Sequence, residues 1–383
     1  MDRERQRILV AMSGGVDSSV AAALLVEAGH EVVGVTMKTF CYQETPGASR
    51  SCCGLDGIMD AKRVADRLEI PHYVFDVEEE FTRDVIDDFV SEYARGRTPN
   101  PCVRCNSNTK FRDLLKRGRA LGCDAIATGH YVRMRAAEPG EKPSLLRGVD
   151  RQKDQAYFLW GLPPELLPLL RFPLGHLLKP EVRERARGLE LETAEKPESQ
   201  DICFVPMGNY REFLEQSLPT RHPALEPGRI VDRAGEVLGE HEGYAGFTVG
   251  QRRGLGGGFP EPMFVLEIHP ERREVVVGPH RELFSPGVRV EELNWLADEP
   301  PLPQESVQVQ IRHGAEPVEA WVEETAVTGT TGLDTGLELR FHSPQRAVTP
   351  GQSAAVFAGE RLLGGGRIAR ALAAAEVPEP SPS

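Results

Sequence analysis

Between residues 8 and 130 short apolar runs alternate with helix-forming stretches, and this alternation limits the fold more than any other feature. Ile8–Met12, Glu31–Met37, His72–Val77 and Asp124–Thr128 have strand character. Ser18–Ala28, Asp60–Leu68, an acidic Glu78–Tyr93 and a basic Thr109–Leu121 read as helices. Apolar strands separated by helices predict an α/β fold with a parallel sheet covered on both faces. From about Gly208 the pattern changes. After a short helix at Tyr210–Gln216, glycine and proline punctuate short strands such as Phe264–His269, Glu274–Val277, Val307–Ile311 and Ala354–Phe357, a signature of β-barrels or sandwiches.

A length of 383 residues suits two or three domains. The expected division is an N-terminal parallel-sheet domain at 1–208, a small β-rich central module at 209–280, a C-terminal β-barrel at 281–371 and a disordered tail at 372–383. Pro279–Pro286 marks the seam between the two β-rich parts. No apolar run reaches the ~18 residues of a membrane span, and Met1–Arg7 carries no export signal. A cytoplasmic, non-membrane protein is therefore expected. Its seven cysteines, Cys41, Cys52, Cys53, Cys102, Cys105, Cys123 and Cys203, then suit reduced thiols, metal ligands or catalysis rather than a disulfide scaffold. Cys123 lies in an apolar stretch and reads as a core thiol.

Between the first strand and the first helix stands Ser13-Gly14-Gly15-Val16-Asp17-Ser18-Ser19. Glycines let the backbone approach an anion, and a helix N-terminus offers unpaired N–H groups and a positive dipole end. The loop lacks the Gly-Lys-Ser/Thr of a Walker A sequence. Asp17 would repel bare phosphate, so it belongs beside Mg²⁺ or caps the helix.

This loop resembles the signature of the PP-loop ATP pyrophosphatases. Further motifs narrow the resemblance: Gly96-Arg97-Thr98-Pro99-Asn100-Pro101, Cys105-Asn106, Ala127-Thr128-Gly129-His130-Tyr131 and Lys153-Asp154-Gln155-Ala156-Tyr157-Phe158-Leu159. Glu198-Ser199-Gln200-Asp201-Ile202-Cys203-Phe204, Gly250–Gly256 and Thr349-Pro350-Gly351-Gln352-Ser353 complete a set that, in this order, is similar to the bacterial tRNA-specific 2-thiouridylases. The resemblance implies that ATP, with Mg²⁺, is held by Ala11, Met12, Ser13, Gly14, Gly15, Val16, Asp17 and Ser18, with Met37 and Gly129 at the adenosine. From the residues alone, Met37 reads equally as core and Gly129 as a turn. The resemblance further implies adenylation of a uridine C2 oxygen at the wobble position of tRNAs for Lys, Glu and Gln. Cys203 would carry a persulfide and Cys105, 98 positions earlier, would be the nucleophile that pairs with it in a disulfide.

Where the commonest family sequence has Asp, this chain has Cys102, giving Cys102-Val103-Arg104-Cys105. Cys102, Cys105 and Cys203 could thus hold three irons of a 4Fe–4S cluster that binds sulfide at the fourth. Zinc with Cys52 or Cys53, a redox pair and simple persulfide chemistry are the alternatives. For tRNA, the resemblance implies contacts from Asn100, Pro101, Cys102, His130, Lys153, Asp154, Gln155, Arg312, His313 and Gln352. The expected partners are tRNA and a sulfur donor, either a cysteine desulfurase or a relay protein, with the chain itself a monomer.

A formal charge of −13 argues against a nucleic-acid partner until it is resolved along the chain. Arg95–Arg119 holds eight cations and one acid, Asp113, a net +7 within 25 residues. This stretch encloses Asn100 and two cysteines, which suits phosphate steering by residues such as Arg112, Lys116 and Arg117.

Overall fold

The computed structural model describes residues 5–39, 55–137, 141–198, 202–205, 209–323 and 336–373. Cys41, Cys52, Cys53 and the expected tail beyond 373 lie outside the described residues. The first strands are β1 (Arg7–Ala11), β2 (Glu31–Lys38), β3 (His72–Asp76) and β4 (Ala125–Ala127). A hairpin of β5 (Val132–Arg135) and β6 (Ser144–Arg147) follows, then a short β7 (Leu170–Arg171). Five of them form a parallel sheet in the order β3-β2-β1-β4-β7. The chain winds outward from β1 through β2 to β3, then returns to β4 on the other side of β1. The crevice at the carboxyl ends of β1 and β4 is the place where such sheets bind ligands.

Alternation along β1 shows why the sheet is covered twice. Ile8 and Val10 face a core built with Val20 and Ala21 of helix α1 (Val16–Glu27), Ala61 of α2 (Leu55–Arg67) and Val182 of a later helix. Leu9 faces the opposite core, with Phe111 and Leu114. Side chains of a strand point alternately to its two faces, so a run apolar at every position must be buried on both.

Helix α3 spans 78–94 and α4 spans 101–120, both with π-helical turns inside them. In α4 the π segment is Cys105–Asp113. Here the structure departs from the expected helix at Thr109–Leu121. Pro101 starts α4 in the first turn, where its missing N–H costs nothing. The wide turns after it break the three- and four-residue spacing by which a helix is recognised. Cys102 and Cys105 therefore ride on a helix rather than a loop.

Beyond α5 (Lys179–Gly188) and α6 (Tyr210–Ser217), the central module is a four-stranded sheet. It comprises β8 (Gly228–Val231), β9 (Val237–His241), β10 (Met263–His269) and β11 (Glu274–Pro279), in the order β10-β11-β8-β9. The C-terminal strands are β12 (Phe284–Trp295), β13 (Ser306–Gln310), β14 (Val318–Val322), β15 (Leu337–Arg346), β16 (Ser353–Ala358) and β17 (Arg361–Leu372). They run in the order β12-β15-β14-β13-β16-β17, and pairing of β12 with β17 closes a six-stranded barrel. The three-part α/β-then-β architecture expected from the sequence is the one observed. The hairpin β5–β6 extends the barrel sheet through β17.

The parts share cores instead of meeting at flexible seams. Phe81, Val85, Phe89 and Tyr93 of α3 pack with Ile230, Val265, Val275 and Val277 of the central module. Leu296, Ala355, Phe357 and Leu362 from the barrel region join the core around Leu9 and Phe111. Where α3 meets the barrel, Arg367 is 7% exposed. Its guanidinium lies 2.7 Å from Asp88, 2.8 Å from Glu92 and 3.3 Å from Glu292. Burial opposes that charge, but the three carboxylates outweigh it and hold the guanidinium above its ordinary value. Arg97 joins Glu92 at 2.8 Å to Glu291 at 2.6 Å, and Arg104 pairs with Asp88 and Glu292. Among the described residues no helix is long and apolar enough to cross a membrane.

Removing a buried ion while leaving its partners unpaired is strongly destabilising. Arg367→Met is expected to cost about 3–5 kcal/mol, measured by urea unfolding followed at both the barrel and the N-terminal domain.

Candidate active site

β1 ends at Ala11, the side chain of Met12 is buried beneath the sheet edge, and Ser13 begins the loop. Gly14 has φ +70°, and a Cβ there would lie 2.2 Å from the carbonyl oxygen of Gly57, so the turn needs glycine. Gly15 caps α1 without a side-chain bond. The Ser18 hydroxyl accepts the Ser13 N–H at 3.1 Å and donates to the Gly15 carbonyl, also at 3.1 Å. Ser19 donates to the same carbonyl at 2.9 Å. Gly129, just past β4, approaches so closely that a Cβ would stand 2.8 Å from both the Asp17 carbonyl carbon and the Ser18 nitrogen. Met37 is half-buried near the end of β2, in register with Phe75. The expected nucleotide residues are thus gathered at the carboxyl edge of β1, β2 and β4.

Asp17 does not cap α1. Its carboxylate accepts Lys179 Nζ at 2.8 Å on both oxygens and the Tyr131 hydroxyl at 2.7 Å. Burial and the neighbouring Asp17 push the Tyr131 phenol upward, so it remains a donor. Lys179 also reaches Glu198 at 2.7 Å, and Glu198 accepts Lys153 at 2.7 Å. Burial resists the charge on Glu198, but hydrogen bonds from Lys153 and Lys179 outweigh it and lower its carboxyl to about 2. Lys153 was expected at tRNA from its motif. Lys179 stands outside every quoted motif, and no sequence signal marks it.

The second half of the site holds the thiols. Cys102 is exposed, and Cys105 and Cys203 are half-buried. Cys105 and Cys203, 98 positions apart in sequence, both pack against one apolar cluster. Phe204 anchors the Cys203 turn. Its ring meets Phe81, Phe89 and Phe213 at centroid distances of 5.7, 5.1 and 5.4 Å. Cys123 is buried, and burial raises its thiol, as a core cysteine requires. Among the described residues no group of three or more His, Cys, Asp or Glu could hold a metal ion.

The family model for the tRNA methyl transferase HUP domain matches residues 6–207. The tRNA methyl transferase PRC-barrel domain matches 211–279, and the Aminomethyltransferase beta-barrel domain matches 285–368. A tRNA-specific 2-thiouridylase MnmA from Carboxydothermus hydrogenoformans is 50% identical over 371 residues, covering 96% of this chain and 99% of the relative. The chain belongs to the tRNA-specific 2-thiouridylase family. Other members with that name are 48% identical in Geobacter metallireducens (97% of this chain, 99% of the relative) and 49% in Thermus thermophilus (96% of each).

The residues that 2-thiouridylase resemblance assigned to tRNA are distributed unevenly. Cys102 and His313 are exposed. Pro101, His130 and Asp154, which the resemblance also assigned to tRNA, are buried. Pro101 opens α4 inside the fold. His130 Nδ1 lies 2.6 Å from the Thr128 hydroxyl, and its ring packs beside Phe111 and Phe172. Burial, with Lys110 nearby, pushes His130 well below its ordinary value, so the ring is neutral. Asp154 accepts Arg147 at 2.7 Å and the N–H groups of Gly148 and Ala156. Gln155 accepts the Tyr131 N–H at 3.0 Å, and Arg312 donates to the Arg346 carbonyl at 2.7 Å. Gln352 donates to the carbonyls of Thr98 and Pro99 at 3.0 and 3.1 Å, pinning the turn before Asn100 to the barrel.

The basic stretch is also partly neutralised. Arg97 and Arg104 join the carboxylates around Arg367, and Arg117 pairs with Glu80 at 2.9 Å. Arg112, Lys116 and Arg119 are exposed at four- and three-residue spacing on α4, forming one stripe.

Because the folded-state value of Glu198 lies below its ordinary 4.5, its ion pairs stabilise the fold above that pH and weaken as pH falls toward about 2. The difference in thermal midpoint between wild type and Glu198→Gln should be constant at neutral pH and shrink across that interval.

Proposed function

We propose that the chain is an ATP-dependent tRNA-uridine 2-sulfurtransferase acting on the wobble uridine of tRNAs for Lys, Glu and Gln. The observation that carries this reading is one fold with a glycine-rich anion loop at the β1–β4 crevice and two thiols on a shared apolar cluster. Full-length similarity to proteins named tRNA-specific 2-thiouridylase supports it.

Replacing a carbonyl oxygen with sulfur requires a better leaving group than oxide. The uridine C2 oxygen attacks the α-phosphorus of ATP, pyrophosphate departs, and the loop N–H groups and helix dipole stabilise the developing charge. Asp17 would help to hold the Mg²⁺ that accompanies ATP, and the ion would supply further charge neutralisation. The terminal sulfur of a Cys203 persulfide then bonds to C2. The Cys105 thiolate attacks the inner Cys203 sulfur, and the persulfide S–S bond breaks with its electron pair passing to the transferred sulfur. AMP leaves, and Cys105 and Cys203 end as a disulfide that an external thiol reduces. A cysteine desulfurase or relay protein supplies the sulfane sulfur. No step is assigned to a 4Fe–4S cluster.

Incubation with tRNA, ATP, Mg²⁺ and a persulfide source, followed by nucleoside analysis, should yield 2-thiouridine. Cys203→Ser should abolish it. Absence of 2-thiouridine with intact ATP would overturn the assignment.

The stripe on α4 suits the tRNA backbone. Charge reversal at Arg112, Lys116 and Arg119 should weaken tRNA binding and reduce the salt-dependence slope by about 2–3 if all three meet phosphates. Reversal at Arg117, already paired with Glu80, should leave the slope nearly unchanged.

A further inference from the structure

Cys102 is the most exposed of the described cysteines, and the sulfur transfer proposed above gives it no step. Cys105 and Cys203 are half-buried. Cys102 sits in the first turn of α4, and the Cys105 main-chain N–H donates to the carbonyls of both Pro101 and Cys102. The two cysteines therefore stand one tight turn apart. The residues between them are anchored: Val103 is buried in the core around Leu9 and Phe111, and Arg104 pairs with Asp88 and Glu292. Residues three apart on a helix have Cβ atoms about 5–6 Å from each other. A disulfide needs roughly 3.5–4.5 Å, a closure small enough for an exposed residue at a helix end.

The proposed transfer leaves a disulfide between two sulfurs that pack against the apolar cluster of Phe81, Phe89 and Leu255. A reductant must bring a thiolate to one of those sulfurs, and thiol–disulfide exchange depends on access. Half-burial hinders a reductant that is itself a protein. Cys102 offers a way out, because it neighbours Cys105 on the helix and is open to solvent. Aspartate, which the commonest family sequence has at this position, cannot form the bond.

Resting on that chemistry, we infer that Cys102 is the resolving thiol that clears the site after each sulfur transfer. Cys102 gives its proton to solvent, and its thiolate attacks the Cys105 sulfur. The Cys102–Cys105 bond forms, the Cys105–Cys203 bond breaks, and the electron pair of the broken bond leaves on Cys203 as thiolate. This exchange involves no net oxidation or reduction. It moves the disulfide onto a sulfur that solvent reaches and returns Cys203 ready for the next sulfane sulfur. The reductant is a protein dithiol. Its first thiolate attacks the Cys102 sulfur and Cys105 leaves as thiolate; its second thiol then breaks the mixed disulfide and releases Cys102. Two electrons pass to the chain, and the dithiol ends as a disulfide.

The test uses the full chain, oxidised with glutathione disulfide and freed of it, without tRNA or ATP. Reduction by thioredoxin and, separately, by a small phosphine is followed by thiol alkylation and peptide mass mapping. Wild type should yield a Cys102–Cys105 disulfide with Cys203 alkylated. Cys102→Ser should hold only the Cys105–Cys203 disulfide and lose about tenfold or more in its rate with thioredoxin, while the phosphine rate changes by less than about twofold. Cys102→Ala serves if the serine form fails to fold. Absence of a Cys102–Cys105 disulfide in wild type, or equal thioredoxin rates in wild type and a folded variant, would overturn the inference. An equal loss with the phosphine would also overturn it, since the substitution would then have closed the site in general. So would absence of a Cys105–Cys203 disulfide in the variant, which leaves no bond to exchange. The two readings fail separately. If wild type makes 2-thiouridine while Cys102 never pairs, the resolving role falls and the function stands. If wild type makes none while Cys102 governs reduction, the function falls and the exchange stands.

Discussion

Arg367 is a barrel residue buried among carboxylates from one helix and one barrel strand, and it ties together the segments that carry both thiols. Asp88 and Glu92 belong to α3, Glu292 to β12, and Arg104 on α4 shares Asp88 and Glu292. One face of α3 carries Phe81 and Phe89, which hold the Phe204 turn and with it Cys203. Arg104 immediately precedes Cys105. An uncompensated charge here would disturb α3, α4 and the barrel together. Glu292 has φ +51°, a conformation that L residues adopt at some cost, and from it the carboxylate serves Arg104 and Arg367. The barrel is consequently part of the scaffold for the thiols as well as a candidate platform for RNA.

The nucleotide half of the site was legible because it is local. Strand, Gly14, Gly15 and helix are contiguous, and each residue performs a job visible from its type. The thiol half was legible only as two motifs, since the cluster against which Cys105 and Cys203 pack draws on α3, α6 and the central module, which are far apart in sequence. The start of α4 was obscured by wide turns. Lys179 was invisible because its role comes from position alone. Buried His130 and Asp154 illustrate the reverse case, in which polar residues inside motifs bond to neighbouring protein groups, His130 to the Thr128 hydroxyl and Asp154 to the Ala156 N–H.

Charge followed the same division. The net −13 and the local +7 are both correct sums, yet neither describes the surface an RNA would meet. Ion pairing removes Arg97, Arg104 and Arg117 from that surface and leaves a narrower stripe on α4. A strip of exposed cations on an otherwise acidic protein favours binding in one orientation over indiscriminate adhesion.

The π-helical stretch Cys105–Asp113 also ties two chemistries to one spacing. Each i→i+5 turn holds an extra residue compared with an α turn, so it sets the rotational phase between the thiol end of α4 and its cationic end. Loss or gain of a single residue there would leave the composition and both motifs intact while swinging Arg112, Lys116 and Arg119 to a different side from the one fixed by Cys105. Chain length in this segment is therefore constrained more tightly than residue identity, and insertions should be tolerated far better in surface loops than between these two ends.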